Sequence, residues 1–167
     1  MTVAAILSDS YSTFPFSTSR GSSSAASAVA KFKNAIASKR RMTGYAQLFE
    51  QPTLDRISEI QTAYSVVNWG GEYEQPIAPM SIIDALDFLD SLPVKFRSPD
   101  VVPEPAGTLA LEWRYAMHRS LIVSFRGGGN ISFSVLQAPN RTSFGNEQFH
   151  HGVVPSTISR LLNTLAG

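Results

Sequence analysis

The sequence predicts an α+β fold: a three-stranded antiparallel β-meander packed against three to four α-helices, with a Ser-rich N-terminal region. Three observations carry this. In three short runs between residues 109 and 135, apolar residues recur at every second position, the period of a half-buried strand. On both sides of these runs they recur at i, i+3, i+4 and i+7, the stripe of an amphipathic helix. Serines crowd residues 8–29, where side-chain to backbone bonding competes with regular structure. At 167 residues the chain fits one domain of ordinary size plus a tail. The division expected is an arm over 1–27 and a single α+β domain over 28–167.

The arm interleaves Tyr11, Phe14 and Phe16 with its serines, and aromatics in a polar segment are expected to dock. From 28 to 41 the pattern turns helical. Val29, Phe32, Ala35 and Ile36 share one stripe, while Lys39, Arg40 and Arg41 suit the negative end of a helix. A second helix is expected from Thr53, as N-cap after Pro52, to about Val67. A third is expected from Ser81, read as the opening of a capping box with Asp84, to the stop at Pro93. Residues 99–107 read as a Pro-rich connector. The strands follow. Leu109, Leu111 and Trp113 alternate with Ala110, Glu112 and Arg114; Leu121, Val123 and Phe125 alternate with Ile122 and Ser124; and Ile131, Phe133 and Val135 alternate with Ser132 and Ser134. Gly127-Gly128-Gly129-Asn130 joins the last two runs as a hairpin loop. The stretch 138–154 holds Pro, Asn, Gly and paired His and reads as loop. Pro155-Ser156 opens a C-terminal helix with Ile158, Leu161, Leu162 and Leu165 apolar.

With no cysteine, a disulfide framework, a thiol nucleophile and a Cys-ligated zinc site are excluded. No apolar run reaches the ~18 residues that span a bilayer. Residues 1–7 are apolar but carry no basic residue and meet Asp9, so they read as a strand or docking segment, not a signal peptide. A cytoplasmic protein without membrane contact is the expectation. The net charge of +1 covers an uneven distribution: +5 over residues 1–41, −7 over 42–107 and +3 over 108–167. Such asymmetry arises from internal complementarity or from a surface that steers a partner of opposite charge.

Several constellations invite chemistry. His150 and His151, with Glu147 and His118, would make a metal site or the centre of a small hydrolase. Adjacent histidines on an extended segment point apart, however, and neither a His-x-x-x-His helix nor a Gly-x-Ser-x-Gly elbow is present. The three glycines lie between two strands, not before a helix, so a turn is read in place of a phosphate cradle. Lys31, Lys33, Lys39, Arg40 and Arg41 are the candidate phosphate contacts. Asp84, Asp87 and Asp90 recur every third residue and are expected to form an exposed acidic ridge, joined by Glu72 and Glu74. Trp69 and Trp113 are read as core, packing together to pin a helix to the sheet.

One stretch carries a resemblance. Asn68-Trp69-Gly70-Gly71-Glu72-Tyr73, the helix ending Leu92-Pro93, the segment from Pro103 to Gly107, Leu111-Glu112-Trp113 and the strands 120–126 and 131–136 resemble a group of small bacterial proteins from mobile-element, phage-related or defence-associated loci. That group has a Trp-Asp-Gly-Tyr turn and a Leu-Glu-Trp strand. The likeness spans residues 64–136 and departs at Gly70 and Ala106, where the group has Asp. It implies an accessory or interaction role and brings no catalytic residue. The functional expectation is therefore a non-enzymatic, cofactor-free protein that binds a macromolecular partner. It would act as an inhibitor or accessory factor of anti-CRISPR-like or antitoxin-like type, with the acidic ridge facing a protein or a nucleic-acid-handling complex. The first alternative is a nucleic-acid-binding regulator using helix 28–41, and the second is a small hydrolase at His150/His151. Oligomeric state stays open.

Overall fold

In a computed structural model the described residues are 27, 30, 31, 34, 51–71, 73–137 and 141–167. Ser27, Ala30, Lys31 and Asn34 are helical. The rest of the stretch 28–41, and the arm before Ser27, lie outside the described residues. The elements that follow are α1 (Gln51–Ala63), α2 (Pro79–Ser91), β1 (Asp100–Pro103), β2 (Leu109–Ala116), β3 (Arg119–Phe125), β4 (Asn130–Gln137), β5 (Arg141–Gln148) and α3 (Ser156–Ala166).

The class is α+β, but the sheet is not the three-stranded meander read from the sequence. It has five strands in the order β1-β2-β3-β4-β5, each antiparallel to the next. The connector 99–107 contains β1, and the loop expected over 138–154 contains β5. Helix α1 begins before Thr53, which is not a cap: its Oγ1 donates to the Pro99 carbonyl at 3.2 Å, tying α1 to the entry of β1. The helix also stops at Ala63, short of Val67. Helix α2 starts at Pro79, whose fixed φ and missing N–H suit a first helical position. Ser81 is therefore inside the helix. Its buried hydroxyl donates to the Phe125 carbonyl at 2.6 Å and accepts the Leu109 N–H at 2.7 Å, clasping α2 to the ends of β2 and β3.

The helices cover one face of the sheet. Register aligns the residues of that face in rows across the strands: Val101, Leu111, Val123, Phe133 and Gly145; Leu109, Phe125, Ile131 and Glu147; Trp113, Leu121, Val135 and Ser143. The members from β1, β2 and β3 are buried, as are Ile131 and Val135 of β4, while Phe133 packs at the margin. Against them stand Leu54, Ile57 and Ile60 of α1, Ile82, Leu86, Phe88 and Leu89 of α2, and Ile158, Leu162 and Leu165 of α3. Phe88 is the hub, with ring centroids 5.3 Å from Phe125, 5.5 Å from Phe149 and 6.3 Å from Trp113. Trp113 thus pins α2 to the sheet and donates Nε1–H to the Arg97 carbonyl at 2.8 Å. Trp69 is engaged elsewhere, edge-on to Tyr64 at 4.5 Å and bonded to the Gln75 carbonyl at 2.8 Å. The two tryptophans hold different parts of the molecule and do not pack on each other.

Candidate interaction surface

The acidic side chains of α2 are not an exposed ridge. Asp84 and Asp87 are only 8% and 5% exposed, because the segments at one end of the sheet fold over them. The Asp84 carboxylate accepts the Gly129 N–H at 2.8 Å, and that of Asp87 pairs with His151 Nδ1. The helix thereby holds both the three-glycine loop and the turn after Phe149. Burial pushes the Asp84 carboxyl above the ordinary range; the Gly129 hydrogen bond works against this and the neighbouring Asp87 adds to it. Asp90 is half-buried. Glu74 is also half-buried and accepts the Tyr73 N–H at 3.3 Å. Glu72 lies outside the described residues. Of the described acids, Asp84 and Asp87 are turned to these internal contacts, so α2 does not present them as an exposed ridge.

Of the basic set, Lys31 is helical and exposed, and Lys33, Lys39, Arg40 and Arg41 lie outside the described residues. Around His150 the backbone forms a bridge with Val153, and His151 is committed to Asp87. Among the described residues, no group of three His, Cys, Asp or Glu is placed to hold a metal ion, so His118, Glu147, His150 and His151 do not converge. Among the same residues no helix is long and apolar enough to cross a membrane.

The surface that stands out is β5, which lies where the sequence pattern predicts loop. It is an edge strand of eight residues, Arg-Thr-Ser-Phe-Gly-Asn-Glu-Gln, exposed or half-buried along its whole length. On the helix-side face it ends the apolar rows with Ser143, Gly145 and Glu147, so it adds no large side chain to the core. Phe133 packs close over Gly145, and the end of its ring would have to move to admit a Cβ, which would lie 2.7 Å from it. On the opposite face stand Thr142, Phe144, Asn146 and Gln148, and Phe144 is 84% exposed. A ring of that size in water at mid-strand gains nothing from the fold of the chain itself.

The ladder also fixes where the backbone of β5 points. The Phe149 N–H bonds the Gly129 carbonyl at 2.7 Å, which makes Gly129 and Phe149 a hydrogen-bonded pair in the β4–β5 register. Alternation then turns the N–H and C=O of 143, 145 and 147 toward β4 and those of Thr142, Phe144 and Asn146 toward the open edge. At the C-terminal end of β5 an open cleft of about 400 Å³ is lined by Arg126, Asn130, Ile131, Asn146, Glu147 and Gln148. The other edge strand, β1, is treated differently: it has four residues, ends in Pro103 and lies beside α1, all devices that blunt an edge. Compared with family models, with curated proteins and with solved structures, the chain matches none.

Proposed function

We propose that this chain works as a protein-binding module, not as a catalyst, and that its contact surface is the open edge of β5. One observation carries the reading. A full-length strand has no buried residue, with outward-facing main-chain donors and acceptors and Phe144 bare at its centre. An extended segment of a partner would add to this edge by main-chain pairing, and alternate side chains would fix its register. The polar cleft beside Asn146 and Glu147 would receive the segment's polar side chains. The resemblance over residues 64–136 supports placing such a module among inhibitors or accessory factors of mobile-element or defence systems.

The test separates β5 from the acidic residues expected first. Asn146→Pro removes one outward N–H without touching the β4 ladder, and Gly145 before it tolerates the constraint a proline imposes. Phe144→Asp replaces the bare ring by a charge. Both variants should keep the fold and lose partner capture from host-cell extract, whereas Glu74→Gln/Asp90→Asn should capture normally. Equal capture by wild type, Asn146→Pro and Phe144→Asp would sink the proposal.

A further inference from the structure

We infer that the first partner of the β5 edge is a second copy of this chain, docked antiparallel across a two-fold axis at Phe144. The inference rests on the reading of β5 as the interface and names its occupant.

The strand is complementary to itself. Antiparallel pairing centred on Phe144 sets Phe144 opposite its own copy, Ser143 opposite Gly145, Thr142 opposite Asn146 and Arg141 opposite Glu147. The backbone permits this centring, and the side chains select it among the registers that differ by two residues. The main-chain groups of Thr142, Phe144 and Asn146 face outward, and in this register each meets another of the three, so their donors and acceptors pair. A shift by one residue would oppose outward-facing groups to inward-facing ones. The side chains agree with the backbone. The two Phe144 rings meet at the axis on the open face, a pairing that removes apolar surface exposed in the single chain. On the helix-side face Arg141 meets Glu147 at both ends of the pairing. Among the described residues neither makes an ion pair within its own chain, so both charges are available. Charges on an edge strand commonly repel a second strand. Here their signs are opposite and equidistant from Phe144, so they attract in the antiparallel register and would repel in a parallel one. Isologous contacts of this kind close on themselves and yield a dimer with one continuous sheet, not a filament.

Charge exchange tests the register. Sedimentation of the full chain across a micromolar to near-millimolar range should show wild type dimerising. Arg141→Glu alone, or Glu147→Arg alone, turns both end pairs from attraction to repulsion and should weaken the dimer at least about tenfold. Mixing the two variants restores opposite charges at both ends and should give a heterodimer of near wild-type strength. Phe144→Asp should leave only monomer. Since β5 adds no large side chain to the core, all these variants should keep the circular-dichroism spectrum and denaturation midpoint of wild type. Hydrogen exchange at the Thr142, Phe144 and Asn146 amides should slow as concentration rises. A wild-type chain that stays monomeric overturns self-pairing; if Phe144→Asp then still abolishes capture of another protein, the reading of β5 as an interface survives. A dimer indifferent to Phe144→Asp and to both charge changes overturns self-pairing and removes the support for β5 as the interface. Mixing without recovery overturns the proposed register.

Discussion

Ser81→Ala isolates the contact that fastens α2 to the sheet. The hydroxyl is fully buried; it donates to the Phe125 carbonyl at 2.6 Å and accepts the Leu109 N–H at 2.7 Å. Alanine leaves both main-chain groups without that partner in a site closed to water. Each buried group left unmade costs about 1–3 kcal/mol. The carbonyl has a second lone pair and suffers less than the N–H, and alanine returns roughly 0.5 kcal/mol as the better helix former. The net expectation is a loss of about 2–3 kcal/mol, a large share of the ~5–15 kcal/mol that holds an ordinary domain together. Urea denaturation followed by circular dichroism should show a lower midpoint at unchanged slope. The melting temperature should fall by roughly 5–10 °C. The control is Ser91→Ala, which removes only a bond to the Asp87 carbonyl within the same helix and should stay within about 0.5 kcal/mol. If Ser81→Ala stays within that same margin, the two bonds do not clasp helix to sheet and the argument fails.

Other expectations concern the hub, the loop and the buried acid. Phe88→Ala empties the centre of the aromatic cluster with Trp113, Phe125 and Phe149 and should cost about 3–5 kcal/mol in the same denaturation assay. Gly129→Ala sets a methyl group at φ +76°, against the Phe149 carbonyl and 2.6 Å from Gln148 Nε2. Left-handed geometry alone costs about 1–2 kcal/mol, so a loss above about 2 kcal/mol is expected. Asp84→Asn keeps an oxygen acceptor for the Gly129 N–H and removes the charge. The Asp84 carboxyl is raised above its ordinary value of 3.8, so the folded chain holds the proton more tightly than the unfolded one. Its ionisation therefore subtracts stability as pH rises from about 3.8 through the folded value. The Asn variant should be at least as stable as wild type near neutrality, and its advantage should vanish on acidification below 3.8; an advantage that grew on acidification would refute the assignment.

The three central strands were legible because one face of each carries the large apolar side chains that meet the helices, and alternation follows from that alone. Strand β1 was hidden by its length: Asp100-Val101-Val102-Pro103 offers two apolar residues between prolines and reads as a connector. Strand β5 was hidden for the opposite reason. None of its residues is buried, so no apolar period is imposed on it, and Gly145 and Asn146 look like turn residues. The signal that was present lies in the sequence: a Pro-Asn pair after the third apolar run, then a segment as long as that run with Thr142 and Phe144 two residues apart. Thr53 and Ser81 were read as helix caps because hydroxyls before an apolar run do cap helices. Both hydroxyls instead bond backbone of other elements, which is tertiary information that no local window contains.

The acidic helix shows why charge spacing alone misdirects the search for a site. Aspartates at every third position share a side of a helix, and spacing cannot say whether that side meets water or another segment. Here the 127–129 loop and the turn at His151 come down on Asp84 and Asp87. The same feature that predicted a partner surface therefore accounts for how one end of the sheet is closed, and the negative charge of the middle segment is partly spent inside the molecule. Among the described residues, β5 keeps bonding capacity that the fold does not use: outward main-chain groups, a bare Phe144, and Arg141 and Glu147 with opposite charges and no ion pair to another described residue. A strand kept this polar along its length resists indiscriminate stacking. One kept this open, while β1 at the other edge is short and stopped by proline, is suited to one selected neighbour. In the proposed dimer, the arrangement of its charges is what selects that neighbour.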